Sequence, residues 1–132
     1  MAYCLNKCEL IGNLTRDPEL KQTLEGKMIG KISLATSQSW KTDDGETHTK
    51  AEYHNVVIFG KFAETACQYL HKGDKIYVEG MIQNSSWEDK ETGEKRHKTE
   101  IVSKNLIFLN VKRIANELGI GDQENNLSDN EF

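Results

Sequence analysis

The chain has 132 residues, 36% of them hydrophobic, and a formal net charge of −4. This length provides one folded domain with a hydrophobic core and excludes two full-sized domains. The sequence has no apolar run long enough to cross a membrane and no secretory signal at its start, so we expect a cytoplasmic protein. Its cysteines, Cys4, Cys8 and Cys67, are odd in number and sparse, which favours free thiols in a reducing compartment.

The charge is divided unevenly along the chain. Residues 1–113 hold all 17 lysines and arginines and 16 of the 21 acidic residues, which gives +1, whereas residues 114–132 hold five acidic residues and no basic one. We therefore predict a folded domain over 1–113 and a short acidic, disordered tail over 114–132. Because the folded part is nearly neutral, an anion-binding site there requires a local concentration of cations.

Hydrophobic alternation in the folded part predicts β-strands, and one stretch changes to the helical period. The predicted strands cover residues 4–14, 27–36, 51–59, 75–86 and 98–111, and the predicted helix covers 61–71. In the second strand, Met28, Gly30, Ile32 and Leu34 fall on one face, which we expect to point inward. Polar loops join the second strand to the third and the fourth to the fifth, so two long hairpins are predicted.

Five strands with one helix between the third and the fourth is the element order of the OB-fold. This fold is a small Greek-key barrel whose face and loops bind oligonucleotides. The sequence thus predicts an all-β, five-stranded OB-fold barrel followed by the acidic tail.

Aromatic residues mark the two hairpins. Tyr53 and Phe59 fall on one face of the third strand, Trp40 precedes the first hairpin loop and Trp87 precedes the second. Exposed rings beside lysines are what single-stranded nucleic acids require, because rings accept bases and cations accept phosphates. Aromatic residues on strands also fill cores, and the spacing alone leaves both interpretations open.

Several segments, in the right order, resemble the bacterial single-stranded DNA-binding protein family. They are NKCELIGNLTRDPE (6–19), ISLATSQSW (32–40), EYHNVVIFGKFAE (52–64), YLHKGDKIYVEG (69–80) and the hairpin around Trp87. The resemblance implies a non-enzymatic, nucleoid-associated protein without a cofactor. Such a protein binds single-stranded DNA without sequence specificity, protects it during replication, recombination and repair, and assembles as a homotetramer.

The resemblance also implies roles for individual residues. Trp40, Tyr53, Phe59 and Trp87 would stack on bases, and His54 would lie at a subunit contact, where Val56 and Ile58 share its face. The candidate phosphate-binding cations are Lys7, Lys31, Lys41, Lys50, Lys61, Lys72 and Lys98. Any single surface lysine is also commonly just a solvated residue.

This chain departs from the family pattern in three places. Tyr53 stands where the family commonly has Trp, and Gln83–Ser86 stand where it often has Arg and Lys, so we expect weaker stacking and fewer phosphate contacts there. The family's long linker is nearly absent, and the end, SDNEF, lacks the family's proline. We interpret Asp129, Glu131 and Phe132 as a docking peptide for DNA-maintenance enzymes, the alternative being a solubilising tail.

Two other functional classes are weaker. An enzyme is disfavoured because His48, His54, His71 and His97 are scattered without a neighbouring nucleophile pattern. Cys4 and Cys8 lack the spacing of a zinc site, and no glycine-rich phosphate loop is present, so we predict no metal. An OB-fold adaptor that binds protein first is expected to lose the aromatic set, which this chain keeps.

Overall fold

The computed structural model describes residues 3–110, together with Asn116 and Gly119. Its elements are β1 (Cys8–Leu14), β2 (Glu19–Gln22), β3 (Met28–Lys41), β4 (Thr47–Phe59), α1 (Lys61–Tyr69), β5 (Lys75–Glu88) and β6 (Lys95–Phe108). The predicted domain boundary at residue 113 and the tail residues Asp129, Glu131 and Phe132 lie outside the described residues. Within the described part of the chain, no helix is long and apolar enough to span a membrane.

Five of the strands close into a barrel. The order β1-β5-β6-β4-β3 returns to its start because β1 pairs with both β5 and β3. Every neighbouring pair is antiparallel except β4 and β6, which run in parallel at Val56–Val57 and Ile101–Val102. With α1 between β4 and β5, this is the predicted OB-fold, with its helix between the third and fourth barrel strands.

A sixth strand, β2, lies within residues 15–26, where the sequence predicts neither a strand nor a helix. β2 pairs antiparallel with the first residues of β3, from Glu19 opposite Lys31 to Gln22 opposite Met28. All four of its side chains are exposed, so it has no apolar alternation for a sequence pattern to detect. Backbone pairing with β3 alone places it at the edge of the sheet.

Both hairpins extend further than the sequence predicts. β3 and β4 stay paired as far as Lys41 and Thr47, and β5 and β6 as far as Glu88 and Lys95. The added ladders are polar and exposed, which is why alternation does not reveal them. Gly45, with φ of 85°, allows the tight turn of the β3–β4 hairpin.

The core lies inside the barrel and confirms most of the predicted inward positions. On β3, Gly30, Ile32 and Leu34 are buried and Met28 is half-buried. The largest side chains with almost no exposure are Leu34, Val56, Leu70, Ile76 and Val78.

The helix α1 covers one end of the barrel through small residues. Ala63 and Ala66 are fully buried, and a Cβ placed on Gly30 would come within 3.3 Å of the Ala63 Cβ, so β3 and α1 touch closely. Phe62 on α1 and Ile82 on β5 are both exposed. Ile82 lies where β5 has already left the barrel to form its hairpin.

Candidate nucleic-acid interface

The outer face of β4 presents the first two predicted rings. By the strand period Tyr53, Asn55, Val57 and Phe59 share the outer face, on which Val57 is buried and the other three are exposed, while Val56 and Ile58 point into the core. Tyr53 is 69% exposed and Phe59 is 51% exposed. The strand period therefore places both rings on one side of the barrel, with the polar Asn55 between them.

Trp40 lies near the end of β3, on the extension of the hairpin beyond the barrel. By strand period it shares its side with the core residues Ile32 and Leu34, so it projects from the face opposite to that of Tyr53 on the same β-ribbon. Trp40 is 46% exposed, and the ring of His48, its cross-strand partner, stacks on it at a centroid distance of 5.9 Å and an interplanar angle of 24°. One face of the indole is thus covered by His48.

Trp87 lies at the end of β5, directly opposite Arg96 on β6. Its side chain is 49% exposed. The Arg96 guanidinium lies 3.5 Å from the Asp89 carboxylate and 3.8 Å from that of Glu94. These pairs anchor Arg96 at the base of the hairpin loop beside the exposed indole.

Phe59 separates two surface cavities. One, of about 590 Å³, is largely apolar and is lined by Met28, Phe59, Lys61 and neighbouring residues. The other, of about 370 Å³, is lined by Phe59, Phe62 and Lys104 among others. Phe62 stacks on Phe108 at 6.3 Å, which fixes the wall of the second cavity. Each cavity combines an aromatic wall with a lysine, the pairing that suits a base and its phosphate.

Six of the seven predicted lysines fall into three groups. Lys7, Lys50 and Lys98 pair with carboxylates two residues away, namely those of Glu9, Glu52 and Glu100, at 3.3, 3.3 and 3.1 Å. Lys41 and Lys72 are exposed, and Lys61 borders the larger Phe59 cavity. Exposed pairs of this kind contribute little free energy, so Lys7 and Lys50 remain able to exchange their partners for phosphates.

Lys31 and Lys98 meet in a third concavity with two cations that the sequence did not single out, Arg16 and Lys21. This cavity, of about 170 Å³, is also lined by Glu19, Asn55 and Glu100. The charge of Lys98, followed by partial burial and by Lys21, lowers the pKa of Lys31. Lys21 could have been predicted only if β2 had been recognised in the sequence, because the pairing of β2 with β3 brings Lys21 beside Lys31.

The surroundings of His54 correct part of the argument that this residue lies at a subunit contact. Its Nε2 lies 2.9 Å from the Thr36 hydroxyl oxygen of the same chain, and Val56 and Ile58, which share its strand face, lie in the barrel core. The two apolar neighbours therefore give no reason to bury this face against another subunit. His54 at a subunit contact remains a prediction from resemblance alone.

Other chemistry is sparse among residues 3–110. No group of three or more His, Cys, Asp or Glu side chains there is placed to hold a metal ion. Burial raises the pKa of the Cys67 thiol, which makes it a poorer nucleophile at neutral pH. The site therefore offers ring faces and cations.

The closed OB barrel with exposed rings on one outer face defines the class of oligonucleotide-binding β-barrels. Comparison with known proteins narrows the class. The Single-strand binding protein family model matches residues 5–109, and the chain belongs to this family. Members of the family are non-enzymatic DNA-binding proteins.

Relatives in two bacteria match most of the chain. A "Single-stranded DNA-binding protein 1" of Chlorobaculum tepidum is 42% identical over 112 residues, covering 85% of this chain and 69% of the relative. The protein of the same name in Xylella fastidiosa is 43% identical over 116 residues, covering 87% of this chain and 85% of the relative.

Solved structures agree with the fold. The Plasmodium falciparum SSB in complex with ssDNA superposes with a TM-score of 0.73 at 29% identity, covering 83% of this chain and 99% of that one. A deletion mutant of the single-stranded DNA-binding protein from Thermus aquaticus superposes with a TM-score of 0.68 at 31% identity, covering 80% of this chain and 50% of that one.

Proposed function

We propose that this protein binds single-stranded DNA without sequence specificity, by stacking bases on exposed rings and by pairing phosphates with lysines. The observation that carries the proposal is the outward placement of Tyr53 and Phe59 on one strand of an OB barrel in a chain of this family. Each stacked base contributes about 1–3 kcal/mol, and every base has a π face, so affinity need not depend on sequence.

The two hairpin rings provide further positions for stacking. Trp40 and Trp87 stand at the ends of the two ribbons that project from the barrel, and both are half exposed. Because they lie beyond the barrel wall, they can contact bases on either side of those stacked on β4. The fold of the P. falciparum SSB, which is solved with ssDNA, supports this use of the barrel.

In the cell, the proposed role is to protect single strands during replication, recombination and repair, in association with the nucleoid. We further propose that Asp129, Glu131 and Phe132 recruit partner enzymes through their charges and ring. The support for recruitment is the acidic composition of residues 114–132 and the aromatic residue within it.

We also propose assembly into a homotetramer. The barrel side formed by β1, β5 and β6 carries an outward row in which Ile11 is opposite Tyr77 and Tyr77 is opposite Ile107. Ile11 and Ile107 are exposed, and such an apolar row suits burial against a second copy. The row lies on strands other than β4, so assembly through it leaves Tyr53 and Phe59 accessible.

The test of the function is anisotropy of a labelled oligothymidine titrated with the protein, in parallel with a mixed-sequence single strand and with a duplex of equal length. The proposal predicts comparable saturable binding to both single strands and much weaker binding to the duplex, whose bases are stacked internally. Equal affinity for single strand and duplex would reduce the site to a general polyanion surface and would contradict stacking.

A further inference from the structure

We infer that Arg16, Lys21, Lys31 and Lys98 form a binding site for one backbone phosphate of single-stranded DNA, beside the ring of Tyr53. The site is the cavity of about 170 Å³ that these four cations line together with Glu19 and Glu100, hereafter the four-cation cavity. The inference rests on the proposed function and adds a particular subsite to it.

The four cations come from separate parts of the chain. Arg16 follows β1, Lys21 lies on β2, Lys31 on β3 and Lys98 on β6. Barrel closure and the β2–β3 pairing bring them to one concavity, so the grouping is a property of the fold and not of a basic run in the sequence. Convergent cations in a concave wall raise the local concentration of anions.

The charges in the four-cation cavity are not balanced. Glu19 lies 3.8 Å from Lys21 and Glu100 lies 3.1 Å from Lys98, which leaves a net charge of +2. Among the described residues, Arg16 and Lys31 form no ion pair. Repulsion by Lys98 is the main reason that the pKa of Lys31 is lowered. A phosphate in the cavity would relieve that repulsion.

The position of the cavity fits a DNA strand that crosses β4. Asn55 lines the cavity and follows Tyr53 by two residues on the same outward face, a separation of about 7 Å along the strand. A nucleotide whose base lies on Tyr53 can thus place an adjacent phosphate against the cations. An amide side chain at the cavity wall adds a hydrogen-bond donor for phosphate oxygens.

The four-cation cavity also compensates for the lack of cations ahead of Trp87. On β5, Gln83–Ser86 supply no cation ahead of Trp87. The proposed subsite shifts phosphate binding from that hairpin to β2, β3 and β6, next to the other exposed rings.

The experiment compares three variants by titration with oligothymidine at several salt concentrations. Lys31→Gln removes a cation of the cavity, Glu100→Gln removes a carboxylate from it, and Lys75→Gln is the matched control, an exposed lysine at the start of β5 outside the cavity. For Lys31→Gln we expect affinity to fall several-fold and the salt slope to fall by about 0.7, the value for one phosphate on single strands. Glu100→Gln should bind more tightly than the wild type.

Thermal unfolding separates binding from folding. Because Lys31 is repelled by its neighbours, Lys31→Gln should keep or raise the Tm while it loses affinity, a combination that damage to the fold does not produce. If Lys31→Gln matches Lys75→Gln in affinity and salt slope while the wild type binds oligothymidine, the phosphate subsite is wrong and the proposed function stands. If the wild type does not bind oligothymidine, the phosphate subsite and the proposed function are both wrong.

Discussion

Tyr53 is the most exposed of the four candidate stacking residues, and its position follows from the period of β4. It pairs with Ala35 on β3, and the small neighbour leaves the ring face uncovered on that side. Trp40 differs, because His48 already stacks on one face of its indole. Ring size and ring access are therefore separate determinants of stacking in this chain.

Substitution of Tyr53 tests stacking at a single residue. Tyr53→Ala should weaken oligothymidine binding about 5- to 150-fold, since one stacked base contributes about 1–3 kcal/mol, and Tyr53→Trp should strengthen it through its larger π surface. Titration by anisotropy gives both values. Tyr3→Ala, which removes an exposed tyrosine outside the barrel, is the control and should bind like the wild type. An unchanged affinity for Tyr53→Ala would remove this ring from the interface.

Hydrogen bonds within the β3–β4 turn lower the pKa of one of its carboxyl groups, that of Asp44. The Thr42 hydroxyl donates to the Asp44 carboxylate, and the backbone N–H of Glu46 donates to the same oxygen at 3.3 Å. These bonds favour the charged carboxylate and hold the pKa of Asp44 below its ordinary value, with the Thr42 bond as the main cause.

The turn yields a pH prediction with a defined sign. A carboxyl whose pKa is lower in the folded than in the unfolded chain stabilises the fold above its unfolded pKa, and it loses that contribution as pH falls through the folded pKa. Thr42→Val removes the main donor, so the pKa of Asp44 should rise towards its ordinary value. An NMR titration of the Asp44 carboxyl measures the change. An Asp44 pKa that does not move in Thr42→Val would contradict the hydrogen bond, with Asp43 in the same spectra as the internal control.

The β5–β6 pair contains a close backbone approach that a side chain cannot enter. The register shifts between Glu79 and Gly80, and a Cβ on Gly80 would overlap the backbone carbonyl of Val102. Gly80→Ala should therefore destabilise the barrel by about 1–3 kcal/mol through overpacking. Gly93→Ala has open space but a φ of 74°, so it should cost about 1 kcal/mol from backbone strain alone. Urea unfolding ranks the two, and a larger loss for Gly93→Ala would contradict the packing argument.

At the level of elements, strands whose side chains alternate between apolar and polar could be predicted from the sequence. Features that depend only on the pairing of strands could not. The inward face of β3 is visible because Ile32 and Leu34 recur at a period of two. β2 has no such pattern, and only its hydrogen bonds to β3 define it. The omission of Arg16 and Lys21 from the candidate site has the same cause, because tertiary closure brings them to Lys31 and Lys98.

The molecule as a whole has two distinct outer surfaces. The β4 side carries exposed rings and borders the four-cation cavity, whereas the β1–β5–β6 side carries the row of Ile11, Tyr77 and Ile107. A chain that binds DNA on one surface and its own copies on the other can bring several ring sets onto one strand.

The assembly surface makes a prediction of its own. Ile11→Glu combined with Ile107→Glu should lower the mass measured by light scattering towards that of a single chain, because charges resist burial between copies. Leu24→Glu, a change at an exposed apolar residue between β2 and β3, is the control. A double variant that keeps the wild-type mass and circular dichroism spectrum would place the subunit contacts elsewhere.

Quenching of intrinsic tryptophan fluorescence on titration with oligothymidine tests the central claim most directly, because Trp40 and Trp87 are the only tryptophans and each lies on one of the two hairpins proposed to contact DNA. The account predicts strong, saturable quenching, of which Trp40→Phe and Trp87→Phe each remove a part while retaining most of the affinity. Binding without quenching would show that DNA lies away from the two hairpins. The absence of both quenching and binding would mean that the barrel does not bind single-stranded DNA.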